Sequence, residues 1–84
     1  MGKRSRNKPK KLASKLREVR FGLDIGQAEM AERLQRVEET VHPGMISRFE
    51  HGKLEPSLIV LLEYARLAGV SMESLVDDKL RLPK

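Results

Sequence analysis

Apolar residues recur at helical spacing in the first half of the chain. Four of them stand at intervals of four, three and four residues and predict the buried stripe of a first helix: Leu12, Leu16, Val19 and Leu23. Gly26 is an acceptable N-cap for a second helix, and Glu29 in its first turn suits the positive end of the helix dipole. The inward face of this second helix is predicted to consist of Met30, Ala31 and Leu34.

A third helix is predicted where Pro43 supplies a residue suited to a first helical turn. It runs to about His51 and stops at Gly52, a residue typical of helix ends. Ile46 and Phe49 are spaced to face inward.

The fourth helix is apolar on two sides. It starts at residues 55–57 and ends at Gly69. Its main stripe is predicted to comprise Leu58, Leu61, Leu62, Ala65 and Ala68, and its second stripe Val60, Tyr64 and Leu67. Ser71 caps a short fifth helix that carries Met72, Leu75 and Val76. Because no segment alternates as a strand does, the pattern predicts a compact all-α domain of five helices.

The length of 84 residues fits one domain, which we place at residues 11–77 between a flexible basic arm (1–10) and a C-terminal tail (78–84). The net charge of +5 is unevenly distributed, because residues 1–20 hold nine Lys/Arg and one acid whereas the remaining chain is net negative. A basic end of this kind favours a polyanionic partner, although a solubilising tail is the alternative. The cations grouped with the arm are Lys3, Arg4, Arg6, Lys8, Lys10 and Lys11.

Several classes of protein are disfavoured by composition. The absence of cysteine excludes disulfides, thiolate catalysis and cysteine zinc sites. The longest apolar run, residues 58–62, is far shorter than the ~20 residues of a membrane span, and no apolar stretch follows the basic start as in a signal peptide. Ser47 and His51 lack the acid and oxyanion hole of a catalytic site, and His42 lies too far from His51 for a metal pair on one helix face. We therefore expect a cytoplasmic, nucleoid-associated protein that is not an enzyme, with no cofactor, metal or membrane partner.

Three motifs occur in a characteristic order: Gln27-x-x-Met30-Ala31, then Ile46-Ser47-Arg48-Phe49-Glu50-x-Gly52, then Pro56-Ser57-Leu58. Together they make residues 11–77 resemble the lambda-repressor-like family of helix-turn-helix domains, also called XRE or Cro/C1-type. The resemblance implies a transcriptional regulator, more often a repressor, that binds double-stranded DNA with its third helix in the major groove. The chain departs from the family in one place, since the turn between Leu34 and Ile46 is several residues longer than usual.

The resemblance assigns expected roles to individual residues. Base contacts are expected from the third helix, at Gly44, Met45, Ser47 and Arg48. Arg48 is the main candidate, because its planar fork can bind guanine O6 and N7 together, which is worth ~1–3 kcal/mol of discrimination. Phosphate contacts are expected from Arg20, Gln27, His42, His51, Gly52 and Lys53. Arg20 and Glu50 are also expected to form a structural ion pair. Each of these residues has an ordinary structural role as its alternative, such as a solvated surface arginine or a peripheral core methionine.

The sequence is compatible with two kinds of protein partner, a second copy of the chain or a different protein. A homodimer would match a two-fold operator with half-sites about one helical turn, ~34 Å, apart. Its surface would include Met72, Leu75, Val76, Ile59 and Val60, unless these residues belong to the core. The alternative function is a protein-binding module of the same fold, such as an antitoxin or a phage regulatory partner, that binds through the fourth helix.

Overall fold

The computed structural model describes residues 9–83 and contains, within that range, five helices and no strand. Their bounds are α1 Leu12–Leu23, α2 Gln27–Leu34, α3 Pro43–Glu50, α4 Leu58–Ala68 and α5 Met72–Val76. The predicted all-α, five-helix domain is therefore confirmed. No helix in the described part of the chain is long and apolar enough to cross a membrane.

The core lies between α1, α2, α3 and α4, with α5 closing one end against α1 and α4. It is built from fully buried side chains of every helix, among them Leu16, Met30, Leu34, Ile46, Tyr64 and Leu75. The ring of Phe49 meets the ring of Tyr64 edge to face at a centroid distance of 6.5 Å, which is a favourable aromatic geometry. The stripe predicted for α1 and the inward faces predicted for α2 and α3 form this core, although Leu23 at the end of α1 is only half-buried.

The orientation of α4 differs from the predicted main stripe. Its buried face consists of Val60, Leu61, Tyr64 and Ala65, whereas Leu58 is 73% exposed and Leu62 is half-buried. Leu58 shares a side of the helix with Leu61 and Ala65, but it is the first residue of α4 and lies outside the core. The suggested dimer surface needs the same correction, because Val60 and Leu75 belong to the core.

The long turn between α2 and α3 is an ordered part of the fold. Val41 is buried in the core, and its amide group donates to the carbonyl of Glu38 at 3.1 Å. The side chain of Gln35 donates to the carbonyl of Val41 at 2.8 Å, which ties the end of the turn back to the end of α2. The long turn thus has a buried apolar residue of its own, Val41. Its contacts fix the position of the backbone just before α3 begins.

The C-terminal segment packs along α1 and so continues the domain beyond residue 77. The Asp78 carboxylate accepts hydrogen bonds from the amide groups of Lys10 and Lys11 at 2.8 and 3.0 Å. Leu82 and Pro83 form a wall of a surface groove that the far end of α1 also lines. The segment therefore follows α1 from its first residues to its last turn.

We expect Val41→Ala to lower the free energy of unfolding by about 2 kcal/mol, since it empties part of a fully buried site in the long turn. Val37→Ala is the matched control, because Val37 lies in the same turn and is only half-buried. Urea denaturation of both variants measures the difference. An equal loss at the two positions would contradict the role of Val41 as the anchor of the turn.

Candidate nucleic-acid interface

The helix α3 has one buried side and one outer side. Ile46, Phe49 and Glu50 face the core. Of the expected base-contact residues, Gly44 and Arg48 are exposed and Ser47 is half-buried on the other side, whereas Met45 is half-buried and packs against the core. Because the buried and outer residues follow helical spacing, the outer side presents a continuous surface. We define Gly44, Ser47 and Arg48, with Met45 at the edge beside the core, as the outer face of α3.

The first turn of α3 is shaped by His42, Pro43 and Gly44. His42 is the extended N-cap and Pro43 occupies the first turn, as the sequence predicted. A Cβ atom added at Gly44 would lie 3.1 Å from Cε1 of the His42 ring and 3.2 Å from its Nδ1. A side chain at position 44 would therefore push the exposed imidazole away from the helix start.

The far end of α3 places three of the expected phosphate contacts next to one another. Nδ1 of His51 lies 2.8 Å from the carbonyl oxygen of Ser47, and since a carbonyl only accepts, Nδ1 carries the proton in this contact. Gly52 adopts a left-handed conformation (φ 71°), which glycine reaches without strain. The amide of Lys53 then closes the helix by donating to the Arg48 carbonyl at 2.9 Å, and the Lys53 side chain is exposed.

Glu50 is buried and accepts hydrogen bonds from both neighbouring helices. Arg20 of α1 binds it with two nitrogens, Nε to Oε2 at 2.7 Å and Nη2 to Oε1 at 2.9 Å. Gln27 of α2 donates to Oε1 at 3.3 Å. The backbone carbonyl of Glu50 accepts a further bond from Arg17 at 3.2 Å. The expected Arg20–Glu50 pair is thus present, and it joins α1 and α2 to the last residue of α3.

The side chain of Arg20 is only 12% exposed. Besides its two bonds to Glu50, it donates from Nη1 to the carbonyl of Ile25 at 3.1 Å, and its guanidinium lies 5.0 Å from the ring centroid of Phe21. These contacts direct the donors of Arg20 inward. Of its two expected roles, the structure therefore favours the ion pair over a phosphate contact.

The pair is ionised at neutral pH. Burial acts to raise the pKa of Glu50, but the hydrogen bonds from Arg20 and Gln27 and the charges of Arg20 and Arg17 outweigh burial and hold the pKa below its ordinary value. The hydrogen bond to Glu50 in turn raises the pKa of Arg20. A charged pair in this position fixes geometry, because loss of one member would leave the other buried without its partner.

Cationic side chains surround the end of α3. Lys10 and Lys53 line the same surface groove, of about 210 Å³, together with Gly52. Arg17 approaches the end of α3 through its bond to the Glu50 carbonyl and is otherwise exposed. We define Lys10, Arg17 and Lys53 as the basic rim. Sequence reasoning missed Arg17, although its position three residues before Arg20 places both on one side of α1.

Residues 9 and 10 are the part of the predicted basic arm that the structure describes. Lys3, Arg4, Arg6 and Lys8 lie outside the described residues. Lys10 and Lys11 are held by Asp78, and Lys11 is the N-cap of α1, so the arm ends before the predicted residue 10. Across residues 9–83 there is no cluster of three side chains suited to hold a metal ion.

We expect Glu50→Gln to lower the free energy of unfolding by about 2 kcal/mol at pH 7, because the Arg20 charge loses its buried partner. The folded pKa of Glu50 lies below its ordinary value of 4.5, so this stabilisation is complete above about pH 5 and is lost as pH falls through the folded pKa. Denaturation from pH 7 to pH 3 measures it, with Glu39→Gln as the same change at an exposed site. A difference between wild type and Glu50→Gln that does not shrink on acidification would rule out this assignment.

The chain is similar in sequence and in fold to known helix-turn-helix proteins. Residues 11–75 match the family model described as helix-turn-helix, HTH_3. Among solved structures, the P22 c2 repressor protein in complex with synthetic operator 9T has a similar fold, with a TM-score of 0.67 and 24% identity over 80% of this chain and 94% of that one. No curated protein sequence matches significantly. The family match spans most of the chain, and the protein therefore belongs to the HTH_3 helix-turn-helix family, whose lambda-repressor-like type its motifs resemble.

Proposed function

We propose that this protein is a DNA-binding transcription regulator, a repressor, that recognises a specific double-stranded sequence with the outer face of α3 in the major groove. The observation that supports this most is that the outer face of α3 is uncovered and bordered by the basic rim, while Arg20, Glu50 and Gln27 brace the helix from behind. The similar fold of the P22 c2 repressor, a protein described in complex with an operator, adds support.

Base recognition is assigned to four residues of α3. The major groove is ~12 Å wide and accepts one helix, so an exposed helix side bounded by cations is the expected geometry. Arg48 would bind a guanine through both edge acceptors, and Met45 would contact a thymine methyl group. Ser47 would reach a base or phosphate oxygen, and Gly44 would allow close approach of the helix start.

Phosphate contacts are assigned to the two ends of the motif. Gln27 lies at the start of α2, where backbone N–H groups favour an anion, and its bond to Glu50 orients the side chain. His51, Gly52 and Lys53 form the second contact after α3, and His42 lies at the opposite end of that helix. The basic arm would add affinity that does not depend on sequence.

Repression would follow from occupying the operator as a homodimer. Two copies with half-sites about one helical turn apart would match a two-fold sequence. The accessible part of the suggested dimer surface is Ile59, Met72 and Val76, since its other two residues are in the core. Such a protein would act in the cytoplasm, at the nucleoid.

A second candidate function is a protein-binding module. It is favoured by Leu58 and Ile59, two adjacent apolar side chains at the start of α4 that are 73% and 44% exposed. The two candidates are distinguished by opposite variants. Arg48→Glu abolishes activity if α3 binds DNA, whereas Leu58→Asp abolishes it and Arg48→Glu does not if the start of α4 binds a protein.

We expect selection from a random pool of duplexes, at stated salt, to yield a defined sequence for wild type. Arg48→Ala should bind that sequence about tenfold more weakly and lose the preference at a single base-pair position, because one bidentate contact is removed.

Lys53→Gln is the control, because it removes a positive charge that is assigned to a phosphate contact and not to a base contact. It should weaken binding to all duplexes by a similar factor and reduce the slope of log affinity against log salt by about 0.9. If Arg48→Ala also weakens all sequences equally, the assignment of Arg48 to base recognition is wrong.

A further inference from the structure

The start of α1 is capped by a residue from the other end of the chain. N-cap Lys11 has no side-chain hydrogen bond to the first turn, and instead the carboxylate of Asp78 accepts from the amide groups of Lys10 and Lys11 at 2.8 and 3.0 Å. A carboxylate at this place also faces the positive end of the α1 dipole. The two amide bonds lower the pKa of Asp78, so it is ionised at neutral pH.

A second contact holds the Asp78 segment in place. The Lys15 side chain is buried, and its ammonium group donates to the carbonyls of Ser74 and Asp77 at 2.7 and 2.9 Å. These carbonyls lie in α5 and directly after it, where a cation is favoured. Because Asp77 precedes Asp78, the bond to Lys15 positions the carboxylate that caps α1.

The capped residues lie beside the proposed DNA-binding surface. Pro9 and Lys10 form walls of the groove that Gly52 and Lys53 also line. The packing is close, since a Cβ atom added at Gly52 would lie 3.8 Å from Cβ of Ala13 in the first turn of α1. Fixing the backbone at Lys10 therefore fixes the point at which the chain leads from the fold into the basic arm.

We propose that Asp78 is a positioning residue for DNA binding, which holds the beginning of α1 so that the basic arm departs beside Lys53 and its charges act on the same duplex as α3. This inference rests on the proposed function. The C-terminal segment would then contribute to DNA binding as well as to packing, because Asp78 determines where the positive charges of the arm can contact the duplex. Without the cap the first residues of α1 are free to fray, and the point at which the chain leaves the fold is no longer fixed beside Lys53.

The test compares Asp78→Ala with Asp78→Asn in the full chain. Both variants remove the negative charge, but the single side-chain oxygen of asparagine still accepts from one of the two amides, so the pair separates the loss of that hydrogen bond from the loss of the charge. Duplex binding is measured at low salt for both variants, in the natural background and in a neutral-arm background where Lys3, Arg4, Arg6 and Lys8 are changed to glutamine. The loss of a cap corresponds to about a fivefold change in an equilibrium. We expect Asp78→Ala to bind about fivefold more weakly than Asp78→Asn in the natural background and equally in the neutral-arm background.

The outcomes separate this proposal from the proposed function. An equal difference in both backgrounds, or none in the natural one, would show that Asp78 does not act through the arm. If wild type binds no duplex, the proposed function fails and the positioning role fails with it, whereas hydrogen exchange still reports the cap alone. We expect exchange at the Lys10 and Lys11 amides to be faster in Asp78→Ala than in wild type, and equal rates would overturn the cap itself.

Discussion

The ion pair between Arg20 and Glu50 is the interaction on which the arrangement of the molecule depends. It joins α1 to the last residue of α3, and Gln27 extends it to α2, so one buried carboxylate contacts all three helices of the proposed binding unit. Such a pair contributes little net stability compared with an apolar core, but it permits few alternative geometries. Its main effect is to fix the orientation of α3 relative to α1 and α2.

The long turn before α3 and the ion pair after it act on opposite ends of the same helix. Val41 anchors the entry by burial, and Gln35 closes the turn with a hydrogen bond. The long turn is therefore held at both ends before α3 begins at Pro43. With both ends fixed, the outer face of α3 stays uncovered, which is the condition for the proposed recognition of DNA.

The sequence predicted the helices well because their ends are marked locally. Pro43, Gly69 and Ser71 are residues whose backbone or side chain determines a helix boundary without help from distant parts of the chain. The rotation of α4 was predicted less well, since two apolar stripes compete and packing against the other helices buries part of each, Leu61 and Ala65 from one and Val60 and Tyr64 from the other. The ion pair was expected from the family resemblance, whereas spacing alone gives no sign of it.

Two sets of contacts that sequence reasoning missed span most of the chain. Lys15 looked like a surface residue of α1, yet it is buried against carbonyls 59 and 62 residues away. Asp78 looked like part of a tail, yet it binds amides 67 and 68 residues earlier. No local pattern encodes such pairs, because each residue is polar and its partner is a backbone group that any sequence offers. They became visible only when the fold brought the two ends of the chain together.

The central claim is that the outer face of α3 enters the major groove of double-stranded DNA, and methylation interference tests it most directly. Methyl groups on guanine N7 lie in the major groove, whereas those on adenine N3 lie in the minor groove. The account predicts that N7 methylation within the bound sequence blocks wild type, and that one blocking guanine no longer matters to Arg48→Ala. Interference restricted to adenine N3, or a pattern that Arg48→Ala leaves unchanged, would contradict it.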